Sequence, residues 1–193
     1  PEQVVNSLIA ATRNVRLQSS IADVQPPPPP PPSSPGTVIA VWGTSGAPGR
    51  TTLAAGIATI LARTAPTLLV DADTANPTIA HLLGVPVQAS GLSILARTAS
   101  RGPLTPQDVQ SAAVQRSEGL RVITGLVTGH RWREVSRPSI ESIIGALRLS
   151  ARYSVVDIAS TSLEKSSRGA SRDDAALGVL ERVDRLVIVA RGD

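Results

Sequence analysis

The segment from Val38 to Thr52, VIAVWGTSGAPGRTT, constrains the fold of this chain more than any other. A short run of β-branched apolar residues leads into a glycine-rich turn, which is followed by Arg50 and two threonines that open a helix. Backbone N–H groups of such a turn and of a helix N-terminus converge on an anion, and the helix dipole favours negative charge there. This order of residues predicts a phosphate-binding loop.

The loop departs from the standard pattern G-x-x-x-x-G-K-[ST] in three ways. Gly49 and Thr51 fit the second glycine and the hydroxyl, but the first glycine position is Thr44 and the lysine position is Arg50. Pro48 removes one N–H donor from the turn. Arginine keeps the positive charge, although its planar guanidinium is not equivalent to a compact ammonium. The loop alone therefore leaves two interpretations open, a nucleotide-binding loop and a plain Gly-Pro turn between strand and helix.

The composition fits an aliphatic core. Hydrophobic residues make up 41% of the 193 residues, but Phe, Met and Cys are absent and the aromatic residues are Trp42, Trp132 and Tyr153. The absence of cysteine fits a reducing cytoplasm, and no apolar run approaches the roughly 18 residues that span a bilayer. The net charge is +4, but the arginines are scattered along the chain. A dedicated nucleic-acid surface is not indicated, while weak contact with DNA or an anionic membrane is left open.

The sequence divides into three parts. Residues 1–24 include an apolar stripe at helical spacing over 2–17, and we interpret them as the terminal helix of an upstream domain. Residues 25–36 contain seven consecutive prolines, which predict a stiff polyproline II linker; a ligand for an SH3-type domain is the alternative. Residues 37–193 form the third part. Because the chain lacks Met and stops shortly after an apolar strand, we expect a segment of a longer protein, truncated at the C-terminus.

From Thr37 onwards, apolar strands alternate with helices. The strands are predicted at Val38 onwards, Thr67–Val70, Leu120–Ile123, Tyr153–Ile158 and Leu186–Ala190. The helices are predicted at Thr51–Arg63, Pro77–Leu83, Gly91–Thr98, after Thr105, after a cap at Ser139, and at Asp173–Val183. We expect the first helix and the last strand to be largely buried. The pattern predicts an α/β fold with a mostly parallel sheet covered by helices on both faces.

Acidic residues follow two of these strands. Asp71 and Asp73 end the second predicted strand, and Asp157 lies near the end of the fourth. Ligands of parallel sheets bind at the carboxyl ends of the strands, where the glycine loop also lies. Mg²⁺ takes carboxylate, hydroxyl and phosphate oxygens as ligands. An aspartate after a strand is also a common turn residue, but the combination with the loop favours a site for a magnesium–nucleotide complex.

Three motifs of the sequence together resemble the ParA/MinD group of P-loop ATPases, which have a deviant Walker A motif. VIAVWGTSGAPGRTT is similar to the deviant Walker A region, TLLVDADTANP to the Walker A′ strand, and YSVVDIAS to the Walker B strand. Within that group, the GAPGRTT form and the proline-rich linker are most similar to CpaE/TadZ-like and septum-site-determining proteins of high-GC bacteria. The upstream domain in such proteins is often receiver-like.

The resemblance implies roles for individual residues. The phosphate cradle would comprise six residues of the loop and helix start: Gly46, Ala47, Gly49, Arg50, Thr51 and Thr52. Thr51, Asp71 and Asp157 would serve Mg²⁺. Asp73 would position the attacking water and, with Arg50, would act in catalysis. The second lysine of the family, which reaches the partner's nucleotide across the dimer, falls at Ser45, so binding of ATP is implied more strongly than its hydrolysis.

Three functions follow from the resemblance and its departures. The first is a cytoplasmic ATP-binding switch that forms a nucleotide-dependent homodimer, with peripheral association with the membrane left open. It would bind a protein partner of a division, polar or secretion assembly and act in septum placement, polar localisation or chromosome partitioning, with weak or uncertain hydrolysis. The second is a localisation scaffold that binds nucleotide without turnover. The third is a P-loop phosphotransferase, and the sequence does not decide whether the protein is an enzyme.

Overall fold

The computed structural model describes residues 34–44, 49–86, 89–161 and 171–191. The predicted helix within 2–17, most of the proline-rich linker, and the loop residues Ser45, Gly46, Ala47 and Pro48 lie outside the described residues. The prediction of an upstream domain and a linker therefore stays a prediction.

The described chain forms a six-stranded sheet. In chain order its strands are β1 (Thr37–Gly43), β2 (Thr67–Ala72), β3 (Val114–Ser117), β4 (Leu120–Ile123), β5 (Tyr153–Ile158) and β6 (Arg185–Val189). In space the order is β3-β4-β2-β5-β1-β6. All neighbouring pairs are parallel except β3 and β4, which are antiparallel. The predicted mostly parallel α/β fold is confirmed.

Helices cover both faces of this sheet. They are α1 (Arg50–Leu61), α2 (Ile79–Leu83), α3 (Gly91–Ala99), α4 (Pro106–Ala112), α5 (Arg137–Ser150) and α6 (Asp174–Leu180), with a 3₁₀-helix at Gly129–Glu134. One apolar cluster packs α1 and α2 against the sheet, and a second packs α3 to α6 against the opposite face. None of the described helices has both the length and the apolar character to cross a membrane.

Two helix starts show how the sequence sets these boundaries. Thr105 and Asp108 form a capping box at α4, in which each side chain accepts a hydrogen bond from the other residue's backbone. The predicted cap of α5 is wrong: Ser136, not Ser139, precedes the helix, and its Oγ accepts a hydrogen bond from the N–H of Ser139 at 3.3 Å. Pro138 explains the earlier start, because proline fits the first turn of a helix.

One strand was not predicted, and two expectations about burial were wrong. The strand β3 was not predicted, because VQRS is polar and lies at a partly exposed sheet edge. Helix α1 is not buried all round: Ala54, Ala55 and Ala58 face the sheet, but Ile60 remains 63% exposed. Strand β6 is also more exposed than expected, since it is the outer strand beside β1.

Candidate nucleotide site

The carboxyl ends of β1, β2 and β5 bring the predicted site residues together. Asp71 and Asp157 occupy directly paired positions on β2 and β5, and Asp157 is in turn paired with Val41 on β1. Helix α1 begins immediately after the loop that follows β1, so Arg50 and Thr51 stand in its first turn. The topology thus places the three acidic residues and the start of α1 at one edge of the sheet, as the sequence predicted.

Two glycines permit the backbone conformation and the close packing found where β1 leads into α1. Gly49 precedes α1 with φ of +92°, in the left-handed region where a side chain is strained. A Cβ at Gly43 would lie 2.6 Å from the carbonyl oxygen of Val189 and 2.9 Å from Cδ of Arg50. Gly43 is therefore required by the close approach of β6 and of the Arg50 side chain.

The Asp157 carboxylate is the least satisfied polar group at the site. It is 1% exposed, and neither of its oxygens has a well-formed hydrogen bond within the described residues. Burial raises the pKa of Asp157 to about 6; a contact with the Thr51 hydroxyl lowers it, the charge of Asp73 raises it, and that of Arg50 lowers it. A buried carboxylate without partners is costly unless a cation or donor completes it.

Asp71 has a different environment from Asp157. Its Oδ2 accepts the N–H of Ile79 at 3.0 Å, and its Oδ1 accepts the N–H of Asp73 at 3.3 Å. Burial raises the pKa of Asp71 to about 7; the Ile79 N–H lowers it, and the charges of Asp157 and Asp73 raise it. Asp71 therefore both anchors the start of α2 and contributes a titratable group beside Asp157.

Asp73 closes the turn after β2 and faces Arg50. Its Oδ1 accepts the N–H groups of Ala75 at 3.0 Å and Asn76 at 2.7 Å. Its Oδ2 lies 3.8 Å from Nη2 of Arg50, and both side chains are mostly buried. Nη1 of Arg50 donates to the carbonyl of Gly43 at 3.4 Å. Arg50 is therefore held between the end of β1 and Asp73.

Gly125 belongs to the site although the sequence analysis did not select it. A Cβ at this position would lie 2.7 Å from Cγ of Asp71 and 2.7 Å from Cβ of Pro77. Its location just beyond β4, at the same edge as the other strand ends, was the signal available in the sequence. The glycine leaves the space that the Asp71 carboxylate occupies.

The protein groups at this site could hold Mg²⁺ only if the phosphate oxygens of a bound ligand completed its coordination. The described residues contain no group of three or more His, Cys, Asp or Glu that could hold a metal alone. Asp157 and Thr51 would hold Mg²⁺ together with phosphate oxygens, and Asp71 would act from the adjacent strand. When bound, the ion would neutralise charge on the phosphates. Of the predicted cradle, Gly49, Arg50, Thr51 and Thr52 are at the start of α1, and Gly46 and Ala47 lie outside the described residues.

Solved structures of other proteins share the fold of this chain. No family model matches the chain, and no curated protein matches it. Among solved structures, a ParA family ATPase from Chlorobium tepidum TLS matches with a TM-score of 0.64 and 21% identity, over 79% of this chain and 59% of that protein. The cell division ATPase MinD of Pyrococcus furiosus matches with a TM-score of 0.59 and 20% identity, over 80% and 59% of the two chains.

A third neighbour was solved with a ligand. The septum site-determining protein MinD of Pyrococcus horikoshii OT3, complexed with Mg-ADP, matches with a TM-score of 0.60 and 18% identity, over 80% of this chain and 57% of that one. The chain thus spans rather less than two thirds of the length of these proteins. The described residues have the ParA/MinD-type P-loop fold.

Proposed function

We propose that this protein is an ATP-binding switch of the ParA/MinD type. The proposal rests mainly on the buried carboxylate of Asp157, which has no well-formed hydrogen bond to any residue that the structure describes. This carboxylate lies beside Thr51, at the start of the helix that follows the glycine loop. A magnesium–nucleotide complex supplies both the cation that Asp157 lacks and the anion that the helix N-terminus favours.

Within this function each residue has a separate task. Gly46, Ala47 and Gly49 would bind the phosphates through their backbone N–H groups, and Arg50, Thr51 and Thr52 would complete the cradle from α1. Thr51 and Asp157 would hold Mg²⁺, with Asp71 in support. Asp73 would orient a water molecule for attack on the terminal phosphoryl group, whose bond to the ADP oxygen would break, and Arg50 would stabilise the charge on the phosphates.

The structural neighbours support a proposal for the cellular role. We infer a cytoplasmic protein whose nucleotide-bound form dimerises and then binds a partner of a septum, polar or partitioning assembly. The proposal leaves open a contact of this protein with membrane or DNA. It also includes the assignment of the chain to the CpaE/TadZ-like proteins.

A scaffold that binds nucleotide without turnover is the second candidate. The ion pair of Arg50 with Asp73 favours it, because the two residues assigned to hydrolysis neutralise each other. The phosphotransferase receives no such support: Tyr153 begins β5 at the edge of the sheet opposite to the site.

Calorimetric titration of the protein with ATP and Mg²⁺ tests the nucleotide site. We expect micromolar affinity, a loss of at least tenfold in Arg50→Ala, and no loss in Arg101→Ala, which removes an exposed arginine after α3. Absence of binding in the unaltered protein would refute nucleotide binding. A measured turnover similar to that of ordinary ParA-type ATPases would remove the scaffold alternative.

A further inference from the structure

A cavity lies at the amino-terminal ends of the strands, opposite to the nucleotide site at their carboxyl ends. It has a volume of about 980 Å³ and is bounded by the end of α1, the start of β2, the β3–β4 turn and the end of α5. Its apolar walls include Ala62, Ala65, Pro66, Leu68 and Ala151. This volume is at the upper end of the range of small-molecule pockets.

Arg121 is the charged group inside this cavity. It lies on β4, is 5% exposed, and lines the cavity. No carboxylate oxygen of the described residues forms an ion pair with it. Burial lowers the pKa of Arg121; an arginine nevertheless remains charged in proteins. Arg121 is therefore a buried positive charge with no counter-charge among the residues that the structure describes.

Neutral amides fix the Arg121 side chain but use only part of its donors. Its Nε donates to Oε1 of Gln115 at 2.7 Å, and its Nη1 donates to Oε1 of Gln110. The Gln110 amide is itself held, because its Nε2 donates to the carbonyl of Ser150 at 3.1 Å. A guanidinium has five N–H donors, and Nη2 makes no hydrogen bond to the described residues. Gln110 and Gln115 thus hold the guanidinium in place and leave donors available.

We infer that this cavity binds a small organic carboxylate. The carboxylate would accept hydrogen bonds from the free N–H groups of Arg121, whose planar geometry matches it, and an apolar body would pack against the alanine, proline and leucine walls. Arg63 at the rim adds positive charge, and Glu118 at the rim opposes the anion. The inference does not depend on the nucleotide site, which lies at the other edge of the sheet.

Benzoate is a suitable probe, and thermal unfolding of the protein is the measurement. At a benzoate concentration ten times the dissociation constant, the unfolding midpoint should rise by about 3–5 °C. The rise should be absent in Arg121→Gln and retained in part in Arg121→Lys. An equal rise in the unaltered protein and in Arg121→Gln would overturn the inference, as would no rise in the unaltered protein.

Two rim variants keep the test decisive if Arg121→Gln does not fold. Glu118→Gln removes an exposed opposing charge and should tighten benzoate binding by about two- to fivefold, whereas Thr64→Trp adds bulk at the exposed rim and should weaken it. Unchanged affinity in both variants would overturn the inference. The rise must also persist with saturating Mg-ADP; if Mg-ADP abolishes it, benzoate binds at the nucleotide site instead. A rise with inorganic phosphate but none with benzoate would reject a carboxylate ligand.

Discussion

Nη2 of Arg50 lies 3.8 Å from Oδ2 of Asp73, so the basic residue of the loop and the acidic residue after β2 form an ion pair across the site. The other oxygen of Asp73 is occupied by the N–H groups of Ala75 and Asn76. This turn keeps Asp73 in place whether or not Arg50 remains beside it. In the proposed complex, nucleotide phosphates would compete for Arg50 with a carboxylate that the turn holds in place.

Removing the charge of Asp73 should therefore strengthen nucleotide binding. In Asp73→Asn the amide oxygen can still accept the two N–H bonds of the turn, while the ion pair is lost. Pairs of this kind contribute about 0.5–1 kcal/mol when partly solvated, so the dissociation constant for Mg-ADP should fall about two- to fivefold in calorimetry.

Glu141→Gln is the matched control, since Glu141 pairs with arginines on α5 and beyond α6, away from the site. Its dissociation constant should equal that of the unaltered protein. Weaker binding in Asp73→Asn would mean that Asp73 contacts the ligand favourably instead of competing for Arg50.

Asp157→Asn should stabilise the ligand-free protein at pH 8. Burial raises the pKa of Asp157 to about 6, so the folded protein holds a proton that the unfolded chain releases at lower pH. Stability from such a group is complete below the unfolded pKa and is lost as the pH rises through the folded pKa. The variant should gain about 1–3 kcal/mol in the free energy of unfolding at pH 8 and about half as much at pH 5, as measured by urea denaturation.

The same substitution should weaken Mg-ATP binding at least tenfold, because the amide offers no negative charge to the ion. A variant that is less stable at pH 8 would show that the Asp157 carboxylate has a protein partner after all. Stabilisation without loss of affinity would remove Asp157 from the metal site.

The sequence predicted the parts of this site that depend on local pattern. Apolar runs identified β1, β2, β4, β5 and β6, and the positions of Asp71, Asp73 and Asp157 at strand ends followed directly from those runs. The ion pair of Arg50 with Asp73 could not be predicted, because it depends on the directions of two side chains, one at the start of α1 and one in the turn after β2. The exposure of α1 and β6 was also mispredicted. An apolar segment can be buried, but its composition does not show whether another element packs against it.

Binding of Mg-ATP should become tighter as the pH rises from 5.5 to 8. Asp157 must be ionised to hold Mg²⁺, and the pKa of Asp71 beside it is raised to about 7. Binding of the cation therefore releases protons in this range. Calorimetry in two buffers of different ionisation enthalpy counts them, and fewer protons should be released in Asp157→Asn. The terminal phosphate of the nucleotide also titrates in this range, and Asp157→Asn measures that contribution. Equal proton release in the two proteins would contradict the assignment of Asp157 to the metal site.

Gly125 provides a test of the Asp71 position that leaves every acidic residue intact. In Gly125→Ala the new Cβ would lie 2.7 Å from Cγ of Asp71, so the carboxylate must shift or the turn must open. Overpacking of this kind costs about 1–3 kcal/mol of stability, and the displaced Asp71 should weaken Mg-ATP binding severalfold. Calorimetry and urea denaturation measure the two effects separately.

Gly145→Ala is the matched control, because Gly145 lies on the exposed face of α5 and its added Cβ would meet no atom within 4 Å. Alanine in a helix interior is favoured over glycine by about 0.5–1 kcal/mol, so this variant should be more stable and should bind Mg-ATP unchanged. If Gly125→Ala lost stability and kept its affinity, Asp71 would serve only to anchor the start of α2, and the metal would depend on Asp157 and Thr51.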